Sequence, residues 1–286
     1  MLAVMATDKT DQKARQYWSQ QLDEAHALMQ RLYSMPVEEC GEEMVSLRQA
    51  AADAGVEVTF SDRPHAEGRP RLFYLRTGLI PRFLDVARAM DQRGWVLHVE
   101  DAYRTRSMQG GLWKEATFAS ILEKVRWELG GAAPTEEFLF RRVAALLAPC
   151  PKAGGHLSGA AVDVSVFRRA DRGELDRDGP YLEISEKTPM ASPFVSTEAT
   201  KNRRAISEVF EKAGFAPYPY EFWHYNRGDV LEAAVRGQPG PARYGPVDFD
   251  PATGKVTPVP NATEPFLSLA DIRRKIAQAM DQGGRG

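Results

Sequence analysis

The chain has 286 residues, 43% of them apolar and 27% charged, with a formal net charge of −2. This length can bury a substantial core in one large or two modest domains, and the near-neutral charge excludes bulk attraction to nucleic acid or an anionic membrane surface. No apolar run approaches the roughly 20 residues that span a bilayer, Leu2–Ala6 is too short for a signal-peptide core, and Cys40 and Cys150 are too far apart in sequence to form a metal-type pair, so a cytoplasmic protein with reduced thiols is expected.

Trp18, Leu22, Ala25, Met29 and Leu32 recur at helical spacing and predict an amphipathic helix over 11–35, stopped by Pro36. A second helix with Met44, Leu47 and Ala51 inward ends at Gly55, and the two read as an N-terminal helical hairpin. Val56–Phe60 and Arg71–Leu75 predict short strands. Ile80–Arg93 predicts a helix with Pro81 in its first turn, and Trp95–Glu100 a strand. Helices follow over 107–129 and from the Pro134–Glu137 cap to about Leu147. Tyr181–Ile184 reads as a strand and Lys201–Lys212 as a helix, and 217–225 is aromatic and extended. Val247–Phe249 can pair with 255–259 across the 250–254 turn, and Ser268–Met280 is a last amphipathic helix. Helices and short strands without βα alternation point to an α+β fold, a central antiparallel sheet flanked by helices.

The stretch Gly154–Phe167 carries the chemistry. Val162, Val164 and Val166 share one face of a period-two strand, which leaves Asp163 and Ser165 on the other. A carboxylate in such a strand needs a partner, because an unpaired buried charge is expensive. His156 lies just upstream, and Glu221 and His224 lie in the late aromatic segment. Two imidazoles and one carboxylate suit zinc, and three protein ligands with one open position is the catalytic pattern. His156, Asp163 and His224 would be those ligands, with Glu221 near enough to act as a base. In a regular strand, residues three apart face opposite ways, so Glu221 and His224 converge only if the backbone bends between Phe222 and Trp223. His98 reads as a core or edge histidine, Arg106 as a surface arginine, and nothing around His26 or His65 suggests a site.

Two motifs carry a resemblance. One is His-x-x-Gly-x-Ala-x-Asp, present as His156, Gly159, Ala161 and Asp163. The other, about sixty residues later, is Glu-x-Trp-His, present as Glu221, Trp223 and His224. Together they resemble the zinc D-alanyl-D-alanine dipeptidases, a branch of the zinc peptidases that cut peptidoglycan-type D-amino-acid peptides. Asp101–Arg104, followed by Ser107 and Gln109, is similar to a tyrosine-arginine segment of that branch. The resemblance covers residues 56–246 and implies a catalytic domain there, with 1–55 as an N-terminal extension and 247–286 as a C-terminal one. It implies one Zn2+ per chain on His156, Asp163 and His224, with the zinc site on the sheet. Glu221 would be general base and then proton donor, and Arg104 would steady the tetrahedral oxyanion. The implied substrate is a small D,D-dipeptide. A peptidoglycan D,D-carboxypeptidase, an L,D-endopeptidase and a non-catalytic zinc-binding module of the same fold are the alternatives. Gly154 and Thr105 replace the serine and proline usual in the family, and 183–194 departs from its Asp-Met-Gly-Thr run.

Overall fold

The helical stripe read from residue 11 continues toward the N-terminus: α1 spans Leu2–Leu32, and Trp18, Leu22, Ala25, Leu28 and Leu32 are buried along it. The computed structural model describes residues 2–283. After α1 the chain runs extended instead of turning back. Glu38 N–H donates to the Ala242 carbonyl and Ala242 N–H to that of Pro36, both at 2.9 Å. Arg76 Nη1 and Nη2 grip the two carboxylate oxygens of Glu39 at 2.9 and 3.0 Å. This connection leads into β1 (Met44–Ser46) and the short α2 (Leu47–Asp53), whose cap is the Ser46 side chain accepting from Gln49 N–H. The two N-terminal helices therefore form no hairpin. α1 packs on the later helices α5 (Glu115–Glu128), α6 (Glu136–Leu146) and α8 (Val230–Arg236), whereas α2 packs on β1, β2 (Val58–Phe60) and α3 (Ile80–Asp91).

The central sheet has five strands in the order β2-β4-β5-β7-β6. β3 (Tyr74–Arg76) pairs with β1 in a separate ribbon. The other strands of the central sheet are β4 (Trp95–Asp101), β5 (Ala161–Arg168), β6 (Ala216–Pro217) and β7 (His224–Asn226). The expected antiparallel sheet is in fact mixed: β2 runs parallel to β4, and the remaining pairs are antiparallel. A parallel pair needs a crossover, and α3 supplies it. The α+β class stands. Val162, Val164 and Val166 enter the main core with Phe83, Val86 and Phe210, so the opposite face of β5 is free to carry Asp163 and Ser165.

The segment expected as one helix over 107–129 is broken at Gly110-Gly111 into α4 (Arg106–Gly110) and α5 (Glu115–Glu128). The Thr105 hydroxyl caps α4, accepting from Met108 N–H at 3.1 Å. α6 (Glu136–Leu146) starts at the Thr135 cap, and α7 (Thr197–Lys212) and the short α8 (Val230–Arg236) flank the sheet strands β6 and β7. Tyr181–Ile184 forms a turn rather than a strand, with Leu182 at a φ of 67°. The pairing across 250–254 does form, as β8 (Val247–Phe249) with β9 (Val256–Pro258). α9 (Leu269–Gly283) lays Ile272, Ile276 and Ala279 on α5 and α6 beside Phe118 and Ile121. Among the described residues, no helix is long and apolar enough to cross a membrane.

Candidate active site

Three neighbouring strands set a row of side chains across the sheet. Asp101 of β4 is in register with Asp163 of β5, and Asp163 is in register with His224 of β7. The first pairing depends on an irregularity between Val99 and Asp101. An unbroken ladder would place Glu100 opposite Asp163, and the extra residue re-aims Asp101 instead, as bulges beside active sites do.

His156 comes from outside the sheet, on the single 3-10 turn Gly155–Ser158. A Cβ at Gly155 would lie 2.6 Å from Asn226 Nδ2 and 2.9 Å from Asp229 Oδ2, so only glycine lets this turn sit so close to β7. Gly159 ends the turn at a φ of 66°. His156 Nδ1 is 2.5 Å from the Ala102 carbonyl oxygen. A carbonyl only accepts, so Nδ1 carries the proton and Nε2 presents its lone pair to Asp163 Oδ2, 3.3 Å away.

His156, Asp163 and His224 are buried, and each offers a ligand atom within 4.8 Å of the other two. His224 Nδ1 lies 2.7 Å from Asp163 Oδ1, and its Nε2 is buried without a partner. Asp163 Oδ2 also accepts from Tyr181 Oη at 2.8 Å and Arg104 Nη2 at 3.1 Å. Burial pushes the Asp163 carboxyl up, but the neighbouring imidazoles outweigh that and hold it well below the usual carboxylate range. Burial, then the charge of Arg104, lowers His156 below its ordinary value. Two acceptors face each other across 3.3 Å, an arrangement a cation between them would resolve. The residues therefore fit a divalent metal with N and O ligands.

The bend required between Glu221 and His224 is a turn. His224 N–H donates to the Glu221 carbonyl at 3.3 Å over Phe222-Trp223, which brings Glu221 Oε2 to 4.0 Å from His224 Nδ1. The Glu221 side chain keeps 26% exposure and lines a cavity of about 590 Å³ that also contains His156, Asp163, His224 and Arg104. Burial raises the Glu221 carboxyl to about 7. Arg104 is held by Nε to Asp101 Oδ2 at 2.8 Å, Nη1 to Gln109 Oε1 at 3.2 Å and Nη2 to Asp163.

Residues 80–238, more than half of the chain, match peptidase family M15, described as D-ala-D-ala dipeptidase. The chain belongs to this family. It is 28% identical over 252 residues to a D-alanyl-D-alanine dipeptidase of Synechocystis sp., covering 75% of this chain and 96% of that protein. To a D-alanyl-D-alanine dipeptidase of Enterococcus faecium it is 31% identical over 90 residues, or 31% of this chain and 40% of that protein. Among solved structures, a variant of the vancomycin resistance D,D-pentapeptidase VanY in complex with Zn(II) shares 19% identity. The alignment covers 64% of this chain and 85% of that one, with a TM-score of 0.32. The protein is thus a metallopeptidase of the D-ala-D-ala dipeptidase family, and His156, Asp163, Glu221, His224 and Arg104 all fall inside the matched residues.

Sequence reasoning missed several residues of this dipeptidase-family site. Tyr181 reaches Asp163 from a turn read as a strand. Asp101 gathers Arg104, Arg71 (Nη1 at 2.8 Å) and His65 (Nε2 at 3.8 Å) on one oxygen. His65, around which nothing in the sequence suggests a site, lines the cavity. Asp101 belongs to the Asp101–Arg104 segment that carries the resemblance, and for Tyr181, Arg71 and His65 the sequence offered no signal. His98 sits away from the row, against Thr59 Oγ1 at 2.8 Å, and Arg106 pairs at the surface with Asp248.

Proposed function

We propose that the protein hydrolyses a small D,D-dipeptide such as D-alanyl-D-alanine, with one zinc ion held by His156, Asp163 and His224. The observation that carries this reading is the buried His-Asp-His cluster with Glu221 beside it in a substrate-sized cavity. When bound, zinc would lower the pKa of a coordinated water to about 7 and polarise the scissile carbonyl. Glu221 takes the proton of the attacking water and returns it to the leaving nitrogen as the C–N bond breaks. Arg104, fixed by Asp101 and Gln109, stabilises the oxyanion as negative charge develops, an interaction stronger in the transition state than in the ground state. Residues 56–246 would form the catalytic unit. Met29 of α1, Ile121 of α5 and Leu146 of α6 line one side of the cavity, which supports small substrates over long peptides.

Metal analysis of the purified protein, beside an amine-release assay on D,D-, L,D- and L,L-dipeptides and a muropeptide, tests the proposal. About one zinc per chain and release of D-alanine from the D,D-dipeptide are expected. Turnover of the muropeptide in preference would shift the assignment to a carboxypeptidase. Glu221→Gln should keep its metal and lose roughly 10²–10⁴-fold in kcat. Full activity in that variant would remove Glu221 as the base.

A further inference from the structure

Ser165 shares the free face of β5 with Asp163, and the chemistry above gives it no part. Its hydroxyl accepts from Arg177 Nη2 and donates to Glu100 Oε1, both at 2.8 Å. Arg177 Nη1 donates to the Val164 carbonyl at 2.8 Å, and the Arg177 carbonyl accepts from Arg203 Nε at 2.9 Å. Arg203 Nη1 donates further to the carbonyls of Lys187 and Pro189, at 2.8 and 3.0 Å. Two arginines, each 1% exposed, are thus fastened to β5 and to the 187–189 segment. Among the described residues, the hydrogen-bond acceptors of Arg203 are all backbone carbonyls. Burial, then the charge of Arg177, pushes the Arg203 guanidinium down to about 10. Burying a cation that no carboxylate neutralises is costly, so its retention here needs an explanation.

Both guanidiniums stand over one aromatic ring, that of Phe222. The guanidinium carbon of Arg203 is 4.0 Å from the ring centroid and that of Arg177 is 4.9 Å away. The ring quadrupole attracts a cation over its face, most strongly where water is excluded, and Phe222 is buried. Phe222 follows Glu221 directly in the chain, inside a turn whose own backbone bonds are long. Glu221 N–H reaches the Tyr218 carbonyl at 3.4 Å, Phe222 N–H that of Thr188 at 3.2 Å, and His224 N–H that of Glu221 at 3.3 Å. The usual length is about 2.9–3.0 Å. His224 has a second hold, through its register with Asp163 in the sheet and its 2.7 Å contact with that carboxylate. Glu221 lies outside the strands, and the anchor next to it is the Phe222 ring.

We propose that Arg177 and Arg203, acting through the ring of Phe222, are positioning residues that hold the Glu221 carboxylate in its working place beside His156, Asp163 and His224. This rests on the hydrolysis proposed above. None of the three is among the residues lining the cavity, so a change in any of them reaches the substrate only through the turn. A base displaced by about 1 Å can lose on the order of 10²-fold in rate, which is what two buried cations spent on one ring would guard against.

The test replaces Phe222 by phenylalanines carrying one, two and three ring fluorines, which draw charge off the ring face and barely change its size. Each zinc-loaded protein is assayed for kcat and KM on D-alanyl-D-alanine and for zinc affinity by chelator competition. Stepwise loss of kcat is expected, on the order of tenfold or more at the third fluorine, with KM and zinc affinity held. A ring that only packs would move the melting temperature and leave kcat flat, and that result would overturn the proposal. Loss of zinc affinity in step with kcat would overturn it too, because the effect would then lie on His224. Arg203→Lys, which keeps a cation, should retain more kcat than Arg203→Met, and equal losses would count against the role. If Arg203→Met fails to fold, the fluorinated series still decides. Crystal structures of the zinc-loaded parent and trifluoro proteins read the same device without turnover. The Glu221 carboxylate should shift against His224 while the Asp163–His224 contact stays, and an unmoved Glu221 would overturn the proposal. A parent protein that shows this shift but releases no D-alanine would count against the reaction alone.

Discussion

Tyr181 donates to the same Asp163 oxygen that faces His156. Burial, then the charge of Asp163, raises the phenol well above its ordinary value, so the hydroxyl stays a neutral donor that fixes the carboxylate's orientation. Groups in this position typically contribute 10–100-fold to metal affinity. Tyr181→Phe is expected to weaken zinc binding by about that factor in a chelator competition assay, with the circular dichroism spectrum unchanged; unaltered affinity would show that the phenol only packs. His156→Ala should lose the metal itself, and retention of stoichiometric zinc would remove His156 from the ligand set. The contrast between these residues explains what the sequence could disclose. His156 and Asp163 stand seven positions apart in one glycine-rich stretch, where spacing, strand period and the family motif together connect them. Tyr181, Arg71 and His65 come to the site from turns and loops, and Asp101 from the irregular end of β4, so their convergence is a property of the folded sheet and no local period marks it.

The 3-10 turn Gly155–Ser158 is the element on which His156 depends. A side chain at Gly155 meets Asn226 and Asp229, and Asp229 is also the cap of α8, accepting from Glu232 N–H at 2.9 Å. Neither neighbour can retreat freely. Gly155→Ala should therefore cost about 1–3 kcal/mol, as overpacking does, and lower both the melting temperature and zinc affinity. Gly154→Ala is the control, because the one tight contact of its Cβ would be the end of Leu157 at 3.0 Å, which a rotamer change relieves, while Ala148 Cβ and the Pro151 carbonyl oxygen stand at an ordinary 3.6 Å. A Gly155→Ala protein with the stability and zinc affinity of the parent would show that the turn is not under this constraint. Element identity was legible where one face is buried: α3, β4, β5, α6 and α7 follow their apolar periods. What periodicity could not show is pairing. The parallel placement of β2, the extra residue in β4 and the turn at Glu221–His224 are set by crossovers and backbone hydrogen bonds between distant segments.

Over the whole molecule, the candidate metal ligands join parts of the chain separated by α7 and its connections. His156 lies on a turn, Asp163 in the sheet's third strand in spatial order, and His224 in its fourth. A ligand bound only by the folded state stabilises it by RT ln(1 + [L]/Kd), about 4.1 kcal/mol at a thousandfold excess over Kd. For a chain of this size that corresponds to a melting shift on the order of 10 °C. The sheet does not need the metal in order to form, because the valine face of β5 packs into its own core with Phe83, Val86 and Phe210. Chelation is therefore expected to lower the melting temperature by about that amount while leaving the far-ultraviolet spectrum at 25 °C intact, and added zinc should restore the melting temperature in a concentration-dependent way. Unfolding at 25 °C on chelation would mark the ion as a structural clasp of the kind on which small zinc domains depend. A melting temperature indifferent to chelator would mean that His156, Asp163 and His224 hold no ion in the native protein. Between those outcomes lies the behaviour of a preformed fold that presents a metal to its substrate, which is what a row of side chains on the free face of an otherwise complete sheet requires.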